Sequence, residues 1–195
     1  MQRFVTGFRT TYTAFIMHER TKNLDQMKSI LIVTISALLL SGCEKIRDFD
    51  NNTIFMVERS NSAWGIQHSG TMIDSTGNVM TFNLPATWNT PDEMGFISLE
   101  DMQENLTQME EILCTVSRND FGKYSSKLMK AKNGTLSDPK SEMADFGTIQ
   151  YSGFLYDPDN NRYKRILIKQ TGDWAIDNNS REAKALYEWL KKPCI

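Results

Sequence analysis

Histidine is almost absent from this chain. Its 195 residues hold two, His18 and His68, and three cysteines, Cys43, Cys114 and Cys194. So few imidazoles and thiols, at such spacing, leave no zinc site to expect, and neither a metal nor a cofactor is expected. A serine hydrolase is equally unsupported. No Gly-x-Ser-x-Gly occurs, and His68 and Ser69, as strand neighbours, face opposite ways. Long apolar runs are missing too: the longest, Ile30 to Leu40, is eleven residues, where a bilayer span needs about 20. Basic excess is lacking. Of 22 basic and 24 acidic residues, 17 and 22 lie from Cys43 onward, a net −5 there, which disfavours nucleic acid and anionic headgroups as partners.

What is present begins at Met27. Lys28 supplies a positive start, Ile30 to Leu40 an uncharged apolar run, and Leu40-Ser41-Gly42-Cys43 a small-residue ending. That order is the anatomy of an export signal. The ending resembles the lipobox of bacterial lipoproteins. The resemblance implies cleavage before Cys43, lipidation of Cys43 and a membrane anchor of more than one acyl chain, which holds where a single chain is marginal. Glu44 follows the cysteine, not Asp, so the resemblance favours the outer membrane, facing the periplasm, over the inner membrane. Residues 1–26 read as a mis-assigned start or a leader, 27–42 as the signal, 43–53 as a tether and 54–195 as a single domain. In an oxidising compartment Cys114 and Cys194 stand as a possible disulfide, with two separate thiols as the alternative.

The domain alternates between strand and helix signals. Ile54 to Val57 and a stretch ending Thr71-Met72-Ile73 read as strands. The turn Asp74–Asn78 and the strand from Val79 to Leu84 complete a hairpin with Met72 near Met80. Leu99 to Ser117 carries apolar residues at helical spacing behind a Ser98/Asp101 capping pattern. A shorter helix follows within Arg118–Lys132. Gly147–Tyr156 and Tyr163–Lys169 read as a second hairpin, and Gly172-Asp173-Trp174 as its break. A last helix starts at Asn179 or Ser180, with Asn179/Glu182 as a possible capping box, and Pro193 stops it. The expected fold is α+β: an antiparallel sheet of two β-hairpins with two or three helices, including Leu99–Ser117 and Arg181–Lys192, packed on one face.

Thr90 to Asp101 is faintly like a calcium loop, but Met94 stands where an oxygen ligand belongs, so the reading is a turn that caps a helix. The acid pairs Glu110/Glu111 and Asp157/Asp159 carry no geometry in sequence alone. Trp88 and Trp174, both read as loop residues, are the aromatics expected to face a ligand. Ala63-Trp64-Gly65, Asp74–Asn78 and Tyr187–Leu190 resemble an uncharacterised lipoprotein family, which implies no activity. No catalytic residue is identified. The expectation is a non-enzymatic, lipid-anchored envelope protein acting as a binding or structural module, its ligand unknown and another envelope protein the partner favoured. An immunity or inhibitor lipoprotein and a small carboxylate-dependent hydrolase are the alternatives.

Overall fold

A computed structural model describes residues 53–194. The expected signal, the lipobox-like ending at Cys43 and nearly all of the expected tether lie outside the described residues.

The strands are β1 (Thr53–Asn61), β2 (Gln67–Ile73), β3 (Asn78–Asn83), β4 (Phe96–Ser98), β5 (Ile112–Thr115), β6 (Lys140–Ser141), β7 (Thr148–Asp157), β8 (Arg162–Gly172) and β9 (Trp174–Asp177). Three helices accompany them: α1 (Leu99–Thr107), α2 (Arg118–Ala131) and α3 (Arg181–Leu190). The strands form one antiparallel sheet in the order β5-β3-β2-β1-β7-β8-β9-β6, with β4 on the outer side of β8. The fold is α+β. The first hairpin has its expected register, Met72 opposite Met80, and β7 and β8 form the second.

Strand β1 sits between β2 and β7 and sets the layering. Its first four residues are buried, and successive side chains of a strand point to opposite faces. Phe55 joins Ile73, Val79, Ile166 and Ile168 beneath α2 and α3. Ile54 and Met56 join Met72, Phe154 and Tyr163 on the other face, where Met102 of α1 closes the layer. The expectation of Leu99–Ser117 and Arg181–Lys192 on one face is therefore corrected. A central strand apolar on both faces needs cover on both, so α1 covers one face while α2 and α3 cover the other.

The helix expected over Leu99–Ser117 is also shorter than its periodicity. It starts where expected, Ser98 Oγ accepting the Asp101 N–H at 3.0 Å, but ends at Thr107. Glu110 N–H then donates to Thr81 O, and Thr81 N–H to Glu111 O. These bonds draw the chain alongside β3, and Ile112 to Thr115 becomes an edge strand. Cys114 is thus on a strand. It is disulfide-bonded to Cys194, with Cα atoms 5.9 Å apart.

One smaller correction concerns a helix end. Ser180, not Asn179, caps α3, accepting from Ala183 N–H at 3.1 Å, so the Asn179/Glu182 box does not form. Gly172-Asp173 breaks the strand as expected, by turning a corner. Gly172, at φ 116°, turns the chain and Trp174 opens β9. The Thr90–Asp101 segment is, as expected, a turn that leads to a helix cap: Asp92 Oδ1 accepts the Phe96 N–H at 2.8 Å ahead of β4, Ser98 caps α1, and Met94 is exposed.

Tyr163 is buried in the α1-side core, and that burial, with Tyr156 beside it, raises its phenol above the ordinary 10.0. The folded chain keeps this proton to higher pH than the unfolded chain. Its stabilising contribution is whole below about pH 10 and is lost as pH rises through the folded-state value. Thermal melts across alkaline pH should therefore fall less steeply for Tyr163→Phe than for the native chain. Parallel curves would refute the assignment.

Candidate functional site

Where β1, β2, β7 and β8 come together at one end of the sheet, their connections enclose an open groove of about 610 Å³. That volume lies in the range of about 300–1,000 Å³ typical of small-ligand clefts. The end of the β1–β2 hairpin supplies Ser60, Asn61, Ser62, Ala63, Ile66, Gln67 and His68; Asp145, Gly147, Thr148 and Asp173 complete the wall.

Register places the floor. Ser60 lies opposite His68 on β2 and opposite Thr148 on β7, so the three side chains stand in a row across three strands. Glycine permits the convergence at its edge. Gly147 has φ 79°, and a Cβ there would collide with Ser60 O; a Cβ on Gly172 would collide with Gly147 O. Any side chain at either position would push the strands apart.

Two polar side chains hold the walls. Asn61 Nδ2 donates to Asp145 O at 3.0 Å while its Oδ1 accepts from Ala63 N–H at 2.8 Å. Asp173 accepts from Phe146 N–H at 2.9 Å and Gly147 N–H at 3.2 Å, one bond to each oxygen. These bonds fix the hairpin against the strand that enters β7. By contrast, the hydroxyls of Ser60, Ser62 and Thr148, the Gln67 amide and the Asp145 carboxylate form no hydrogen bond with another described residue. Trp64 and Ile66, on the same hairpin end, are 77 % and 82 % exposed.

Behind the floor is a packed polar-aromatic cluster. His68 Nε2 and Glu58 Oε1 are 2.7 Å apart, and the indole Nε1–H of Trp88 donates to the same oxygen at 3.1 Å. Trp88 stacks on Phe82 with ring centroids 4.4 Å apart, and His68 stands edge-on to both rings. Trp88 is thus a half-buried prop rather than a ligand-facing aromatic, because a loop indole that finds an acceptor and a ring to stack on turns inward. Trp174, also expected in a loop, is exposed but lies on β9, paired with Ser141 of β6. Neither lines the groove. Replacing Glu58 by Ala strands two mostly buried donors, which costs about 1–3 kcal/mol. A lower melting temperature with a red-shifted tryptophan emission should report Trp88 released to water; an unchanged spectrum would count against the anchoring role.

Sequence reading missed Asn61, Gln67, Thr148 and Asp173. Asp173 carried a signal, since Gly172-Asp173 marks a corner whose acid can cap the neighbouring backbone. The others had none, because the groove assembles from segments far apart in the chain, Asn61 and Asp145 being 84 positions apart. The remaining acid pairs do not converge there. Asp157 is engaged by Asn160 and Arg162, the Asn160 hydrogen bond first among the causes that hold its carboxyl below the usual range.

Two other clefts, of about 450 and 300 Å³, flank α3 and the outer side of β8. The first contains Lys169 and Asp177, which neutralise one another. Among the described residues no group of three or more His, Cys, Asp or Glu side chains is placed to hold a metal, and no helix is long and apolar enough to cross a membrane. Comparison with protein-family models, curated proteins and solved structures finds no match.

Proposed function

We propose that the protein is a lipid-anchored lipoprotein of the bacterial envelope, on the periplasmic face of the outer membrane, that acts by binding and not by catalysis. The observation that carries this reading is the signal-like sequence from Met27 that ends Leu40-Ser41-Gly42-Cys43. The Cys114–Cys194 bridge supports it independently, because such bonds persist in oxidising compartments. A preformed groove with unspent hydrogen-bonding groups supports binding. The carboxylate hydrolase is less favoured: Asp173, one of the two acids in the groove, already spends both oxygens on backbone N–H groups.

The test is fractionation and intact-mass analysis of the tagged protein, native and Cys43→Ala, after cross-linking in intact cells. The native chain should begin at Cys43, carry lipid and sediment with membranes, and Cys43→Ala should lose both the lipid and the anchor-dependent companion. A native protein that keeps residues 1–42 without lipid overturns the anchor. A lipidated protein with no companion speaks against a protein partner, and an inhibited toxin or hydrolase as the companion would make it an immunity protein.

A further inference from the structure

We infer that the groove between the β1–β2 hairpin end and the start of β7 is a binding site for an uncharged, hydroxyl-rich saccharide. The inference rests on the binding reading and gives it a ligand class. Four features of the groove point to it.

The first is the kind of polar group. A sugar hydroxyl is both donor and acceptor, so its partners are hydroxyls, amides and carboxylates in mixture. Ser60, Thr148 and Gln67 supply that mixture in the floor and wall, and they are not consumed by bonds to described neighbours. Buried polar groups of a ligand bind well only where each finds such a partner.

The second is sign. No lysine or arginine lines the groove, while Asp145 and Asp173 do. An acidic sugar or a phosphate would meet repulsion with nothing to offset it. The third is the rim. Ile66, in the wall itself, is 82 % exposed, and Trp64 on the same hairpin end is exposed too. A pyranose has an apolar C–H face as well as hydroxyl edges, and an exposed apolar side chain beside a polar floor suits both. Such exposure has no role in the core.

The fourth is rigidity. Floor residues stand on paired strands, Asn61 clamps one wall and Asp173 the other, so the polar groups are already placed. Preorganisation of this kind lowers the ordering cost of a ligand. The cleft beside α3 differs in sign, since Lys169, Arg181 and Lys184 line it.

Calorimetric titration of the full chain, in a polyoxyethylene detergent that carries no sugar headgroup, tests the inference. The probes are chitotetraose and maltotetraose, with oligogalacturonate and oligolysine as charged alternatives. At least one of the uncharged tetrasaccharides should bind with one-to-one stoichiometry. Gln67→Ala and Thr148→Val should each weaken it about tenfold, and Lys184→Ala, in the cleft beside α3, should leave it unchanged. Circular dichroism confirms that each variant is folded. The inference is overturned if neither uncharged sugar binds, if binding ignores both groove variants, or if only oligogalacturonate or oligolysine binds. Failure here leaves the anchor assay untouched, and failure of the anchor leaves this titration interpretable.

Discussion

Replacing both Cys114 and Cys194 by serine should lower the melting temperature by about 10 °C. The bond ties edge strand β5 to the C-terminal end beyond α3, across a sequence separation of 80 residues. Closing a loop of that size removes about 4 to 5 kcal/mol of chain entropy from the unfolded state, in the entropic account. For a domain of this size each kcal/mol moves the midpoint by about 2–4 °C. The position makes the effect structural as well as entropic. β5 is four residues long, with Ile112 and Leu113 exposed, and holds to the sheet through β3 alone. Without the bond, β5 and the end of α3 should be the first parts to exchange amide protons. Reductant should reproduce the loss in the native chain and do nothing to the double serine variant. Equal melting of oxidised and reduced native protein would mean that the bridge does not stabilise the fold.

Phe55→Ala should cost about 3–5 kcal/mol, the usual range for emptying a buried aromatic site. Phe55 is wholly buried on the central strand. Its ring meets Phe121 of α2 and Trp189 of α3 edge-on, with centroids 5.9 and 5.0 Å apart. One side chain therefore joins the sheet to both helices of that face. Trp189 stacks in turn on Tyr124, at 4.1 Å, so the cavity would loosen the α2–α3 pair as well. Phe55→Leu keeps most of the volume and should lose far less, which separates the cavity from any intolerance of substitution. Chemical denaturation with near-ultraviolet circular dichroism measures both. A Phe55→Ala loss below about 1 kcal/mol would mean that the site collapses around the smaller residue.

Local signals were enough for part of this architecture. Alternation around the Asp74–Asn78 turn determined the first hairpin and its Met72/Met80 register, because turn chemistry and a two-residue period act over few positions. Alternation in Gly147–Tyr156 and Tyr163–Lys169 marked the second hairpin, and Ser98 the start of α1. Periodicity failed at Ile112 to Val116. Those apolar residues satisfy a helix pattern and a strand pattern alike, and the decision came from Thr81, about thirty positions earlier, which offers its N–H and C=O to Glu111 and Glu110.

The two tryptophans show the same division. Nothing adjacent to Trp88 distinguishes a loop indole that faces solvent from one that finds Glu58 and Phe82, since both partners come from other strands. The α+β class and the two hairpins were determined by the sequence itself, and the proposed export address rests on sequence alone. Only the tertiary structure decided that helices cover both faces, that Cys114 lies on an edge strand, and that Ser60, His68 and Thr148 stand in one row. The physical reason is range. Turns, caps and side-chain alternation are settled between near neighbours, whereas sheet order and side-chain convergence are settled by pairing and burial between segments far apart in the chain.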